Sequence, residues 1–75
     1  GADLTGATLR DASLDRARLS DAKLRGANGR EARFVSADLT GADLEGAILR
    51  EADFTRADLA GARLVRADLR RARFF

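Results

Sequence analysis

The chain has 75 residues, with 14 Lys and Arg against 12 Asp and Glu, a formal net charge of +2, and no His, Cys, Trp, Tyr, Met or Pro, which bounds it to one small domain. Without thiol or imidazole it has no disulfide, no zinc or haem ligand set and no imidazole base, so no cofactor is implied. With 35% charged residues and no apolar run long enough to cross a bilayer or serve as a signal peptide, no membrane is expected as partner and the cytoplasm is the favoured location.

Ala stands at 2, 7, 12, 17 and every fifth position after that to 72. Two residues after each Ala comes Leu or Phe, except at Gly29. The chain is therefore fifteen tandem copies of x-A-x-[LF]-x. On a helix a five-residue step leaves a net rotation of about 140°, so the Leu side chains would circle the axis and form no stripe. In extended chain Ala and Leu, two apart, share a side, but the next Ala comes three residues later and would point away. The spacing thus predicts a short extended piece and then a bend in every repeat, so that the chain winds as a coil.

A second period sets the size of the coil. Phe34, Phe54 and Phe74 are spaced by twenty, as are Gly6, Gly26 and Gly46, and Arg10, Arg30, Arg50 and Arg70. Four repeats make one coil, giving about 3.75 coils: residues 1–20, 21–40, 41–60 and 61–75. At about 4.8 Å between coils the stack is about 18 Å tall, with backbone groups bonding to the coils above and below. Gly at two corner columns (6, 26, 46 and 1, 41, 61) suits turns that need positive φ. Ala is kept small where chain segments meet at a narrow axis, Leu and Phe fill the interior, and the three Phe are expected in one ladder. Gly29 predicts a small void between Leu9 and Leu49, or inward movement of a neighbour.

Charges follow the same stacking. In the first coil Asp3 begins the column Asp3, Lys23, Asp43, Arg63, and Ser13 the column Ser13, Arg33, Asp53, Arg73. Both are expected to form cross-strand ion pairs that set register. The column Arg10, Arg30, Arg50, Arg70 could follow a polyanion, yet Asp11, Glu31 and Glu51 come directly after the first three, and a mutually paired, solvated face is expected. Along the axis residues 1–35 carry a net +2, residues 36–55 a net −4 and residues 56–75 a net +4. Arg70, Arg71, Arg73 and Phe75 therefore form a basic, aromatic end. Ser13, Ser20 and Ser36 have no His to activate them, and the carboxylates imply no pocket, so an enzyme is not expected.

The tandem A-[DNST]-L-x-x units, as in Ala2-Asp3-Leu4, Ala37-Asp38-Leu39, Ala42-Asp43-Leu44 and Ala57-Asp58-Leu59, resemble the pentapeptide repeat proteins, and the resemblance covers the whole chain. It implies an all-β, right-handed quadrilateral β-helix. Gly29, Ile48 and the basic residues at 18, 23, 33, 63 and 73 depart from the family pattern. In quinolone-resistance and topoisomerase-inhibiting members an acidic rod resembles B-form DNA and occupies the DNA site of gyrase. A net positive, short rod fits that role poorly. The expected function is a non-enzymatic scaffold presenting a rigid, charge-patterned surface to a protein partner. Inhibition or protection of a type II topoisomerase is the alternative, and nucleic acid is a disfavoured partner.

The candidate interaction surface is Arg10, Arg30, Arg50, Arg70, Arg71, Arg73 and Phe75. Because the repeat starts at Gly1 and still runs at Phe75, with no capping segment, the ends are expected to meet a second copy, through the C-terminal coil, or the continuation of a longer solenoid.

Overall fold

A computed structural model describes Gly1–Phe75. Each repeat closes on a turn in which the Ala N–H donates to the carbonyl of the Leu, Phe or Gly three residues before it, from Ala7 to Leu4 at 3.0 Å through Ala72 to Leu69 at 3.0 Å. The residue just before Ala has positive φ at every turn, between 57° and 70°, which makes these type II turns. The sequence reserves that conformation for Gly at two corners. Instead all four corners adopt it, and Asp11, Arg16, Asp21, Glu31, Ser36, Glu51, Arg56, Arg66 and Arg71 hold it with full side chains. The cause is closure: a fifth residue per repeat must be absorbed in a tight bend, whatever side chain it carries.

Between bends the chain is extended and pairs in parallel with residues twenty positions on, from Asp3 with Lys23 to Asp53 with Arg73. Leu4 N–H donates to Lys23 O at 2.7 Å, Lys23 N–H to Ala2 O at 2.8 Å and Gly6 N–H to Arg25 O at 2.9 Å. The pattern repeats up four faces. Face 1 holds residues 1–5, 21–25, 41–45 and 61–65; face 2 holds 6–10, 26–30, 46–50 and 66–70; face 3 holds 11–15, 31–35, 51–55 and 71–75; face 4 holds 16–20, 36–40 and 56–60. The molecule measures 23 × 20 × 19 Å, in keeping with a stack of under four coils. It contains no helix long and apolar enough to cross a membrane.

The interior is made by the Ala and Leu/Phe positions alone. Ala22 to Ala52 are buried at every fifth position, together with Leu19, Leu24, Phe34, Leu39, Leu44, Leu49 and Phe54. Phe34, Phe54 and Phe74 form the expected ladder, with ring centroids 4.9 and 5.1 Å apart and planes within 2° and 6°. At Gly29 the neighbour has moved inward: Leu49 Cδ2 lies 2.8 Å from where a Cβ on Gly29 would stand. Leu4, Leu9 and Leu14 at one end and Leu59, Leu64 and Leu69 at the other are only partly buried.

Candidate functional site

One backbone donor per repeat is left out of the ladder. The N–H of the fifth residue, first in the bend, donates to no backbone carbonyl at any turn. Where Asp or Asn stands two residues earlier it takes that donor: Asp3 Oδ1 accepts from Thr5 N at 3.1 Å, Asp38 from Thr40 at 3.0 Å, Asp43 from Glu45 at 3.1 Å, Asp53 from Thr55 at 2.9 Å and Asp58 from Ala60 at 3.0 Å. The Thr5 and Thr40 hydroxyls donate to the same oxygens at 2.7 Å, and the Thr55 hydroxyl donates likewise to Asp53. These bonds, the hydroxyl first, hold the Asp3, Asp38 and Asp53 carboxyls below the usual carboxylate range. The Asp of the A-D-L unit is therefore first a cap for the bend, a role the vertical reading of the columns missed.

Ion pairing is mostly diagonal, between residues eighteen apart, with two vertical pairs, Arg25 with Glu45 and Arg63 with Asp43. Arg33 pairs with Asp15 at 3.1 Å, Arg25 with Glu45 at 2.8 Å and Asp43 at 3.6 Å, and Arg63 with Glu45 at 3.5 Å and Asp43 at 3.8 Å. Of the vertical pairs expected in the two columns, only Asp43 with Arg63 comes within ion-pair distance. Side chains directly stacked project in parallel, whereas a long Arg stem laid sideways brings its guanidinium to a neighbouring column.

The expected neutralisation of the Arg10 column by Asp11, Glu31 and Glu51 does not form either. Arg50 and Arg70 both turn to Asp68 on face 2, at 2.5 and 2.8 Å, and Arg10 and Arg30 make no ion pair. The Arg70 and Arg50 guanidiniums drive the Asp68 carboxyl far below the carboxylate range, and Asp68 in turn raises Arg70. On the acidic side, a hydrogen bond with Asp11 and the charges of Asp11 and Glu51 raise Glu31, and Arg10 only partly offsets them. Two like-charged ladders thus run side by side along the edge between faces 2 and 3. A shallow groove of about 190 Å³ follows it, lined by Arg10, Arg30, Arg50, Glu31 and Glu51.

The other candidate residues lie at the last coil. Arg71 and Arg73 line a wider depression on face 3 with Asp11, Glu31, Arg33, Glu51 and Asp53, and Phe75 is 85% exposed. The grooves combine cations and carboxylates and are open. No three carboxylates are gathered as a metal site.

The sequence profile of the pentapeptide repeats matches eight copies, over residues 1–28, 12–50 and 37–74. No curated protein matches the chain in sequence. Among solved structures, Rfr23, a pentapeptide repeat protein from the cyanobacterium Cyanothece 51142, is similar at a TM-score of 0.96 and 32% identity, over 97% of this chain and 50% of that one. HetL, a pentapeptide repeat protein involved in heterocyst differentiation regulation in Nostoc sp. strain PCC 7120, is similar at 0.57 and 35% identity, over 93% of this chain and 39% of that one. The chain spans about half the length of Rfr23. A profile running from residue 1 to 74 and a coil geometry shared with these rods place the chain in the pentapeptide repeat family, as a right-handed quadrilateral β-helix.

Proposed function

We propose that the chain is a non-enzymatic scaffold that holds a fixed pattern of charges toward a protein partner. The observation that supports this most is the hydrogen-bonded backbone ladder, which fixes where each charged side chain leaves the surface and brings Arg25, Arg63 and Arg66 around Glu45 across coils. HetL's involvement in regulating differentiation suits a binding rod without chemistry of its own. A photo-crosslinking residue placed in turn at Asp3, Thr8, Ser13 and Arg18, one per face, tests the reading in lysate of the source organism. Adducts to a protein from one face, repeated at neighbouring positions, are expected. Equal labelling from all four faces, or none, contradicts it.

The last coil supports a second contact of the same structural kind. Leu59, Leu64 and Leu69 are partly buried, Phe74 is 51% exposed, and the amides of all four donate to no backbone carbonyl. A further coil, from the rest of a longer chain or from a second copy stacked head to tail, supplies carbonyls and an apolar layer together. Occupation of the gyrase DNA site calls instead for a continuous negative column, and no supercoiling inhibition is expected from this segment.

A further inference from the structure

Asp68 shows what the arginine edge does with a carboxylate. Its Oδ2 accepts from Arg50 Nε at 2.5 Å and from Arg70 Nη2 at 2.8 Å, while Oδ1 accepts from Arg70 Nε at 3.0 Å. The two arginines stand eighteen residues before and two residues after the Asp. Two coils earlier, Arg10 and Arg30 stand in the same relation to Asn28. Asn28 carries no charge, and its Oδ1 reaches only the Arg30 backbone N–H, at 3.4 Å. Neither Arg10 nor Arg30 is in an ion pair, and Arg30 Nε, the counterpart of the Arg70 Nε that grips Asp68, is buried with no acceptor. A buried charged donor without a partner is costly, and an anionic oxygen is what relieves it. In the intermediate place, between Arg30 and Arg50, Ile48 fills the position.

We propose that Arg10, Asn28 and Arg30 form an open clamp for a carboxylate delivered by an acidic segment of a partner protein. This rests on the scaffold reading and gives it a face and a chemistry. The approach is over face 2, whose outward column begins with the uncharged Thr8, Asn28 and Ile48. Along its far edge Gly6, Gly26 and Gly46 have no atom within 4 Å of where a Cβ would stand, so a chain can lie flat there. Asp11, Glu31 and Glu51 line the opposite side of the arginine column and repel a long phosphate backbone, which selects a short acidic side chain coming from face 2. Arg30 then swings as Arg70 does, closing on the incoming carboxylate with Nε and Nη2 while Arg10 meets it from the coil above.

The test is a titration of the 15N-labelled chain, at low salt, with the blocked peptide Ac-Gly-Glu-Thr-Glu-Gly-NH2, read on the arginine Nε–H and asparagine side-chain amide signals. Saturable shifts are expected at Arg10, Asn28 and Arg30. Asn28→Asp fills the clamp from within, as Asp68 does, and should weaken the peptide about tenfold or more while raising the melting temperature; Arg30→Gln should weaken it similarly. Arg16→Gln, on the edge between faces 3 and 4 and away from face 2, should bind as the parent does. Unchanged affinity in Asn28→Asp, or shifts spread evenly over all arginines, would overturn the clamp. Inorganic phosphate binding the same signals as tightly as the peptide would overturn the protein source of the ligand. A crosslinked partner whose capture survives Asn28→Asp and Arg30→Gln would remove the clamp and leave the scaffold standing, whereas saturable peptide shifts with no crosslinked partner would do the reverse.

Discussion

Arg16 holds a φ of 61° with a full side chain, a conformation that costs an L-residue about 1–2 kcal/mol, while Gly at the same place loses about 0.5–1 kcal/mol more chain entropy on folding. Arg16 makes no ion pair, so Arg16→Gly is expected to stabilise the fold by about 0.5–1 kcal/mol, measured by denaturant melts. Gly41→Ala should act in the opposite direction. Gly41 sits at φ 68°, and an added Cβ would collide with Asp21 Oδ1, so strain and a displaced carboxylate combine. Protonation has two opposing parts. Asp3, Asp38, Asp53 and Asp68 have folded values depressed below the unfolded ones, so their stabilisation is complete above the unfolded carboxylate range and is lost as pH falls through the folded values. Glu31 is shifted upward by Asp11 and Glu51, so its ionised form opposes folding above its folded value. Glu31→Gln should therefore raise the melting temperature at pH 7, and the gain should vanish in acid, where Glu31 is already protonated. A gain independent of pH would show that repulsion is not its source.

The pentapeptide unit and its stacking were legible in the residues because both are periods. Five positions fix which side chains go inward, and twenty fix which ones stack, as the Phe34, Phe54 and Phe74 ladder shows. What the order of residues could not supply was anything set by side-chain reach or backbone closure. Arg33 stacks over Ser13 and under Asp53, and the eye pairs it vertically, but its stem carries the guanidinium across to Asp15. The Asp of A-D-L looked like an ion-pair partner because the free amide it caps is visible only once the bend is built. Asp58 tests that cap cleanly, since it accepts from Ala60 N–H at 3.0 Å and joins no ion pair. Asp58→Ala should cost about 0.5–1 kcal/mol, and Asp58→Asn should recover most of it; equal losses in both would deny the capping role. Gly29 belongs to this scale too. Its N–H donates to Ile48 O and its carbonyl accepts from Ala32 N–H as in a regular repeat, so only the side chain is missing. Gly29→Leu should return Leu49 to its own layer and raise stability by about 1 kcal/mol; a fall in melting temperature would mean that Leu49 cannot withdraw.

Burial is greatest between Leu19 and Phe54 and declines toward both ends. Because each coil touches only its neighbours, opening should proceed inward from the ends rather than all at once. Native-state amide exchange should accordingly be slowest at Phe34, Leu44 and Leu49, whose N–H groups bond within the stack, and faster at Leu4, Leu9 and Leu59. Uniform protection from first coil to last would require coupling along the axis that nearest-neighbour stacking does not provide.

The strict pairing of residues twenty apart has a consequence for how such a rod can change. An insertion of any number other than five, or a multiple of it, if wound into the coil rather than looped out at a corner, would send Ala and Leu outward and destroy the stack. A whole repeat added after Ala60 would leave the inner wall nearly as it was, and would turn everything beyond it by a quarter revolution. Asp68 would leave face 2 for face 3, Arg70 would part from Arg10, Arg30 and Arg50, and Phe74 would step off its ladder. Duplication of fifteen nucleotides therefore works on this protein as a combination lock does, rotating one ring of charges against the next while the barrel stays whole.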